Sequence, residues 1–393
     1  MHKEMHVAVV IDAWTNIVGK VICENRPAKF DKFLQEVRAI AGNSPVVFGL
    51  EDTRGYGRSL AMYLVGHKLT VKQVNPAYTS AVRLSAPMTY KDDDQDAYCV
   101  ARVLRDMLDK LPDAQQADVF WTIRQLVNRR DALVKSGAML QNQLHGALMH
   151  NYPSYKKFWS DIDGKTGLWF WENYPSPACL LEVTQEQLGE ELRKVSHNAC
   201  STKKAHQILA LVEGDGDTTR DFQRERDYII KTIVQELKYK KEQIIGIDGE
   251  LERLISLTGY KLHTMPGINL NMATSIISEV GDIERFPNAD KLAKFSGLSP
   301  VWFTSAGKGY EQRSKQGNRD LRSTFYLLAL QLLQVSPSGK PRHPVFHEYF
   351  QRKVKEGKTR PQAMVSVMRR ALRIIYGMMR TKTEYRPFEP SED

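Results

Sequence analysis

The sequence predicts a multidomain protein in which an α/β domain precedes mainly α-helical segments. Three observations carry that expectation. Apolar runs of strand length alternate with amphipathic helical patterns through residue 112. After Pro112 the strand signals stop and two long helical patterns take over. The net charge of +10 is also uneven: residues 259–393 carry 22 Lys+Arg against 12 Asp+Glu, whereas the preceding 258 residues carry 34 of each sign. These shifts divide the 393 residues into an α/β domain over 1–112, a helical connector over 113–258 with an insertion at 151–200, and a C-terminal domain over 259–393.

Residues 6–12 (HVAVVID) form a strand ending in Asp12, and residues 17–23 (IVGKVIC) a second. Pro27 opens a helix whose apolar residues Phe30, Phe33, Leu34, Val37 and Ile40 fall at helical spacing. Residues 46–51 (VVFGLE) make a buried-type strand ending in Glu51. GRSLAMYLVG (57–66) is helical, and KLTVKQV (68–74) is a strand closed by Asn75-Pro76. A strong amphipathic helix runs from Asp93 to near Leu111. The order of elements implies a partly parallel sheet.

Residues 114–150 read as one long helix stopped at Pro153. Residues 151–200 hold Trp159, Trp169, Phe170, Trp171, Pro175 and Pro177, and are expected to form a compact, less regular insertion. Residues 217–257 form a second long helix. Its seam of Ile230, Ile233, Leu237, Lys240, Ile244, Ile247, Leu251 and Leu254 alternates three and four apart, which is a coiled-coil pattern broken only by Lys240. Forty helical residues reach about 60 Å. Short helices and turns follow to residue 330, then helices near 344–357 and 361–380, and a disordered tail, EYRPFEPSED.

No apolar run reaches the roughly 18 residues of a membrane span, and MHKEMHVAVVID lacks a signal peptide's apolar core. Cys23, Cys99, Cys179 and Cys200 form no CxxC. His197 and Cys200 lie three apart without a second pair, so free thiols in a reducing compartment are expected rather than a zinc site. The basic last third implies a polyanion partner, since neutralising phosphates releases their counterions.

Asp12 and Glu51 both end strands, the edge where ligands and catalytic groups gather in open α/β sheets. KDDDQDA supplies Asp92, Asp93, Asp94 and Asp96 at a helix start, and Asp93 and Asp96 share one helix face. Helix dipole and capping favour acids there without any function. Converging carboxylates repel unless a cation lies between them, and hard oxygen donors suit Mg²⁺ or Mn²⁺. Two such ions can clamp the attacking and leaving oxygens of a phosphodiester.

This order of acids resembles the RuvC-like, ribonuclease H-type domain of the DEDD transposases of insertion sequences, also known as bridge-RNA-guided recombinases. Glu51-Asp-Thr-Arg-Gly-Tyr56 is similar to the family's E-x-T-G-x-Y with one residue inserted before the glycine, and Lys91-Asp-Asp-Asp-Gln-Asp-Ala97 to its K-x-D-x-x-D-A. The resemblance implies a metal site of Asp12, Glu51, Asp93 and Asp96. One departure is visible: two strands precede the first helix where the fold usually has three.

The C-terminal domain adds Pro266-Gly267-Ile268-Asn269, which resembles a helix-hairpin-helix presenting backbone N–H groups to a phosphate, with Asn269 replacing the second glycine in a left-handed turn. Gly297-Leu-Ser-Pro300, Ser305-Ala-Gly307 and Ser314-Lys-Gln-Gly-Asn-Arg319 are close to the family's second domain. There a serine five residues after the proline is the nucleophile, which places that role on Ser305, with Thr304 as a neighbouring hydroxyl and Ala306 where glycine is usual. No histidine lies beside Ser305; Lys308, Arg313, Lys315 and Arg319 do, in a loop, and their charge would stabilise a pentavalent phosphate.

The resemblance implies donor and target double-stranded DNA, a noncoding guide (bridge) RNA, a dimer to tetramer of this chain joined through the heptad seam, and a cytoplasmic, nucleoid-associated bacterial protein without membrane contact. A metal-dependent nuclease of four-way junctions, working without a covalent intermediate, is the alternative.

Overall fold

Two strands, β1 (Met5–Ile11) and β2 (Ile17–Glu24), pair antiparallel at the N-terminus, with Met5 opposite Glu24 and Ile11 opposite Ile17. The computed structural model describes residues 2–51, 55–85, 92–114, 118–299, 301–305, 308–312 and 317–387. They fall into two units, Met1–Asp118 and Val119–Asp393.

In the N-terminal unit, α1 (Pro27–Ala41) begins on a proline, whose fixed φ suits a helix's first turn. It buries Phe30, Phe33, Leu34 and Val37 against Val21 and Cys23 of β2. Strand β3 (Val47–Leu50), helix α2 (Arg58–Gly66) and strand β4 (Thr70–Gln73) follow; β3 and β4 pair parallel, Val47 opposite Thr70. A parallel pair needs such a crossover, and Leu60 and Leu64 of α2 fill the core beneath it. The chain then forms α3 (Pro76–Ser85) and α4 (Asp93–Met107), which lies against β1 and β3. The expected strands and helices therefore appear, within a residue or two, as an antiparallel and a parallel pair. Helix α3 is an addition: its apolar signal is weak, and only Thr79 of it is buried.

Among its described residues the second unit is helical apart from one hairpin and the connecting turns. Its helices are α5 (Asp118–Asn151), α6 (Lys165–Asn173), α7 (Gln185–Val195), α8 (Thr202–Asp215), α9 (Gln223–Thr258), α10 (Leu270–Val280) and α11 (Ala289–Phe295). The hairpin strands β5 (Val301–Ser305) and β6 (Lys308–Gln312) follow, then α12 (Arg319–Leu333), α13 (Pro344–Lys355) and α14 (Arg360–Thr381). Short helices and turns were expected where β5 and β6 lie; VWFTS is too brief a run to announce a strand by periodicity.

Helices α5 and α9 run antiparallel. The start of α5 (Ile123, Val127) shares a core with the end of α9 (Leu251, Leu254), while Leu140, Leu144 and Leu148 share another with Ile230, Ile233 and Leu237. Between them Arg130 grips Asp248, Nε to Oδ1 at 2.5 Å and Nη2 to Oδ2 at 3.3 Å. Near the far end Asn151 donates to Asp227 at 3.2 Å. Both ends of the heptad seam are thus covered within this chain, and its odd member Lys240 is held by Glu236 at 2.9 Å, one turn earlier.

Residues 151–222 form a helical module around the second core, more regular than expected. Trp171, Phe170, Phe158 and Tyr152 are fully buried, and Trp171 stacks on Phe158 at 5.6 Å. The first core joins α10, α12 and α14 to the two long helices through Ile276, Phe325, Leu372 and Ile375. The tail begins ordered rather than loose: Tyr385 donates its backbone N–H to Thr264 Oγ1 at 2.9 Å, and its hydroxyl meets His343 Nε2 at 3.0 Å. Among the described residues no helix is long and apolar enough to cross a membrane, and all four cysteines are free.

Candidate active site

Asp12 stands just past β1 and closes the tight turn into β2. Its Oδ1 accepts from the backbone N–H groups of Trp14 and Asn16, each at 2.9 Å, and its Oδ2 from Asn16 Nδ2 at 2.9 Å. The Asn16 amide, above all, holds its carboxyl below the usual aspartate range. Three donors on four lone-pair sites leave one, on Oδ2, for a cation.

Glu51 follows β3 directly. Gly49 positions it: a Cβ there would stand 3.1 Å from Leu104 Cδ2, so its absence lets α4 lie close against β3. The Thr79 hydroxyl of α3 donates to Glu51 Oε2. One turn further along α3, Arg83 Nη1 binds Asp96 Oδ1 at 2.6 Å. Helix α3 thus contacts both acids, through side chains four residues apart. Burial pushes the Cys99 thiol up, Asp96 and, least of all, Glu51 push the same way, and Arg83 and Arg102 oppose them.

The other acids of KDDDQDA divide their roles. Asp92 caps α4 by accepting from Gln95 N at 2.7 Å, and Asp94 pairs with Lys20 of β2 at 2.6 Å. Asp93 occupies the first turn of α4. Among the described residues no three His, Cys, Asp or Glu side chains are close enough to share a metal ion. Glu51 and Asp96 do fit one chemically: they are hard oxygen donors, both are contacted by α3, and a cationic guanidinium already stands against Asp96.

In the second unit Ser305 is the last residue of β5, and its backbone pairs with Lys308, the first of β6, across a two-residue connection. The serine is therefore at a strand end and not in an open loop. Arg313 and Lys315 lie outside the described residues; Arg319 is exposed in the first turn of α12. The base of the hairpin is pinned. Gly317, at φ +118°, crosses Gly297 so closely that a Cβ on it would stand 2.5 Å from Gly297 N. Asn318 donates its backbone N–H to Phe295 O at 2.7 Å, caps α12 by accepting from Leu321 N at 2.8 Å, and gives its amide to Glu279. Arg322 Nη1 holds Gly297 O at 3.0 Å.

Sequence reasoning missed that base. Glu279 also faces Arg124 at 3.5 Å, and Arg285 is packed over Phe286 and Phe295, where burial depresses its pKa. The signals were present but faint: a Gly-Asn pair before a helix start, and a lone Glu in the apolar run of α10.

Gly267 has φ +92° and faces Leu328 and Leu332 of α12 at 3.6 and 3.5 Å from its would-be Cβ. Asn269 is not left-handed, as was expected. It is extended, at φ −92°, and caps α10 by accepting from Met272 N at 2.9 Å. An Asn side chain satisfies an end-of-helix N–H that a second glycine would leave open.

Comparison with known proteins covers both regions. A transposase model of the DEDD, IS110 type matches residues 1–153, and one of the IS116/IS110/IS902 transposase family matches 259–344. The chain is 24% identical over 316 residues to the insertion element IS110 uncharacterized 43.6 kDa protein of Streptomyces coelicolor, covering 78% of this chain and 74% of the relative. It is 28% identical over 342 residues to a pilin gene-inverting protein of Moraxella lacunata, covering 86% and 81%. A pilin gene-inverting protein of Moraxella bovis is 30% identical over 158 residues, 40% and 45% of the two chains.

Proposed function

The chain belongs to the IS116/IS110/IS902 family of insertion-element transposases, and on that premise we propose that it cuts and exchanges DNA strands through a covalent phosphoserine link on Ser305, guided by a noncoding RNA. The observation that carries this reading is the seat of Ser305: a strand end opposite Lys308, on a base pinned by Gly297, Gly317, Asn318 and Arg322. A nucleophile needs such fixed placement, because a displacement of about 1 Å can cost a hundredfold in rate. The Ser305 oxygen attacks the phosphorus of a DNA phosphodiester. The bond to one deoxyribose oxygen breaks, and that oxygen takes up a proton as the serine gives one up. The phosphodiester count is unchanged, so the strand can be rejoined to a new partner without an energy source.

The N-terminal unit, in this reading, is a RuvC-like domain, with Asp12, Glu51, Asp93 and Asp96 as its acids. Mg²⁺ or Mn²⁺ held there would polarise the scissile phosphate and activate an oxygen nucleophile. Donor and target DNA and the RNA would lie on the basic C-terminal region. Arg352, Lys353, Lys355, Lys358 and Arg360 crowd the end of α13 and the start of α14 against a single acid, Glu356. The pilin gene-inverting relatives are named for inverting a gene, and a recombinase reading of this chain agrees with that name. A dimer or tetramer of the chain would use the central turns of α9, where Tyr239 and Ile245 are exposed, because the seam's two ends are already covered.

The test is to trap the protein on labelled DNA with its RNA and map the modified peptide by mass spectrometry. An adduct on Ser305, lost in Ser305→Ala while DNA and RNA binding persist, is the expected result. Strand exchange surviving in Ser305→Ala, or an adduct on Thr304, overturns the assignment. Metal-dependent cleavage with no adduct points to a junction nuclease instead.

A further inference from the structure

Helix α3 carries two polar residues on one face that both reach the acidic site. Thr79 and Arg83 are four apart and so lie one above the other. Thr79 is 6% exposed and donates to Glu51; Arg83 binds Asp96 at 2.6 Å. Val82, between them, packs with Val100 and Val103 of α4, which fixes the helix against the acids. Nothing in the sequence motifs assigns α3 a role, and its apolar content is too small to explain its presence as core.

We infer that Arg83 is an internal counter-cation of the acidic site, holding Asp96 beside Glu51 in the metal-free protein and giving way when a divalent ion binds. The inference rests on the reading of Glu51 and Asp96 as metal ligands. Two carboxylates drawn together in a partly buried place repel, and a site left without a cation would spread open. Arg83 removes that repulsion with a charge that belongs to the chain. A guanidinium is planar and weakly hydrated, and it occupies a carboxylate oxygen that Mg²⁺ or Mn²⁺ would also use. Metal and Arg83 therefore compete for Asp96. The fraction of molecules in which Arg83 is bound to Asp96 lowers the apparent metal affinity by that same fraction. Thr79 is a donor and bears no charge, so it orients Glu51 in both states and does not compete. Arg83 is thus a positioning residue: it keeps the acids gathered and sets how much metal is needed to load them.

The test uses the full chain, Mn²⁺ alone and thermal unfolding. Without metal, Arg83→Ala should melt below wild type, because Asp96 and Glu51 lose their counter-charge. At saturating Mn²⁺ that gap should close, and the half-saturating Mn²⁺ concentration should fall about threefold, as expected for release of a partly exposed ion pair. Arg83→Lys keeps the charge without the planar fork and should fall between the two; it also serves if Arg83→Ala does not fold. A residue that merely braces the fold would leave the melting gap equal with and without Mn²⁺, and that result, with unchanged half-saturation, overturns the inference while the metal site stands. If Mn²⁺ fails to raise the wild-type melting temperature, or raises that of Asp96→Asn equally, the metal site itself is wrong and Arg83 has nothing to compete with.

Discussion

At the scale of single residues, Asp12 meets a structural demand and, in the proposed function, a catalytic one. Its carboxylate builds the β1–β2 turn, with the Asn16 amide as the main cause of its lowered pKa. A carboxyl depressed on folding adds stability above its unfolded pKa, and that contribution is lost as pH falls through the folded value. The turn should therefore loosen only below about pH 4. Asn16→Ala removes the chief cause, so the Asp12 pKa should rise toward the usual aspartate value, and the acid-side loss of stability should shrink. A carbon-detected NMR titration of the Asp12 carboxyl reads this directly; an unmoved pKa would show that the backbone donors of Trp14 and Asn16 suffice alone. Residue types were the most legible level of this sequence. Asp12, Glu51, Asp93 and Asp96 were singled out because acids at strand ends and in a helix's first turn are recognisable without coordinates. Their partners were not legible, since Thr79 and Arg83 come from a weakly apolar helix that opens at Asn75-Pro76, a pair read only as the end of a strand. That dipeptide ends a strand and, with proline in the first turn, equally begins a helix.

Among elements, the pair α5 and α9 carries the most information. Periodicity marked the two buried ends of the α9 stripe, while Lys240, Ile244 and Ile247 between them are only half-buried, and it could not say what covers those ends. A heptad reads the same whether the partner is another chain or a helix of this one that ends at Asn151, well before Gln223. The Arg130–Asp248 pair fixes the register: the two side chains are 16% and 27% exposed and meet through two bonds. A double-mutant cycle of Arg130→Ala and Asp248→Ala in urea should give a coupling energy of about 1 kcal/mol or more, above the range of exposed pairs. A coupling near zero would mean that the apolar contacts alone align the helices. The β5–β6 hairpin was illegible for a different reason. Its strands are five residues each and belong to no larger sheet among the described residues, so neither length nor alternation distinguishes them from a loop.

For the whole molecule, the two units have separate cores, which makes their stabilities separable. Leu64, fully buried in the N-terminal unit, should cost about 2–5 kcal/mol when changed to Ala. Calorimetry should show one transition moving while the other, from the unit of α5 to α14, stays in place. A joint shift of both would show that the units unfold as one. The antiparallel pair also governs the order of events at the ribosome. Ile123 and Val127 leave the exit tunnel early, but the residues that cover them include Leu251 and, in the same core, Met378 and Met379. About 250 residues must be translated between the first and the last of these. At roughly 5–20 residues per second that is on the order of 10–50 s. For that interval the start of α5 is a nascent amphipathic helix with one wet apolar face. Its far end is better served, because the aromatic module of residues 151–222 emerges directly behind it and can close first. Vectorial synthesis thus favours completing the aromatic core before the hairpin that carries Ser305 has been made, so that hairpin is added onto helices already half in place.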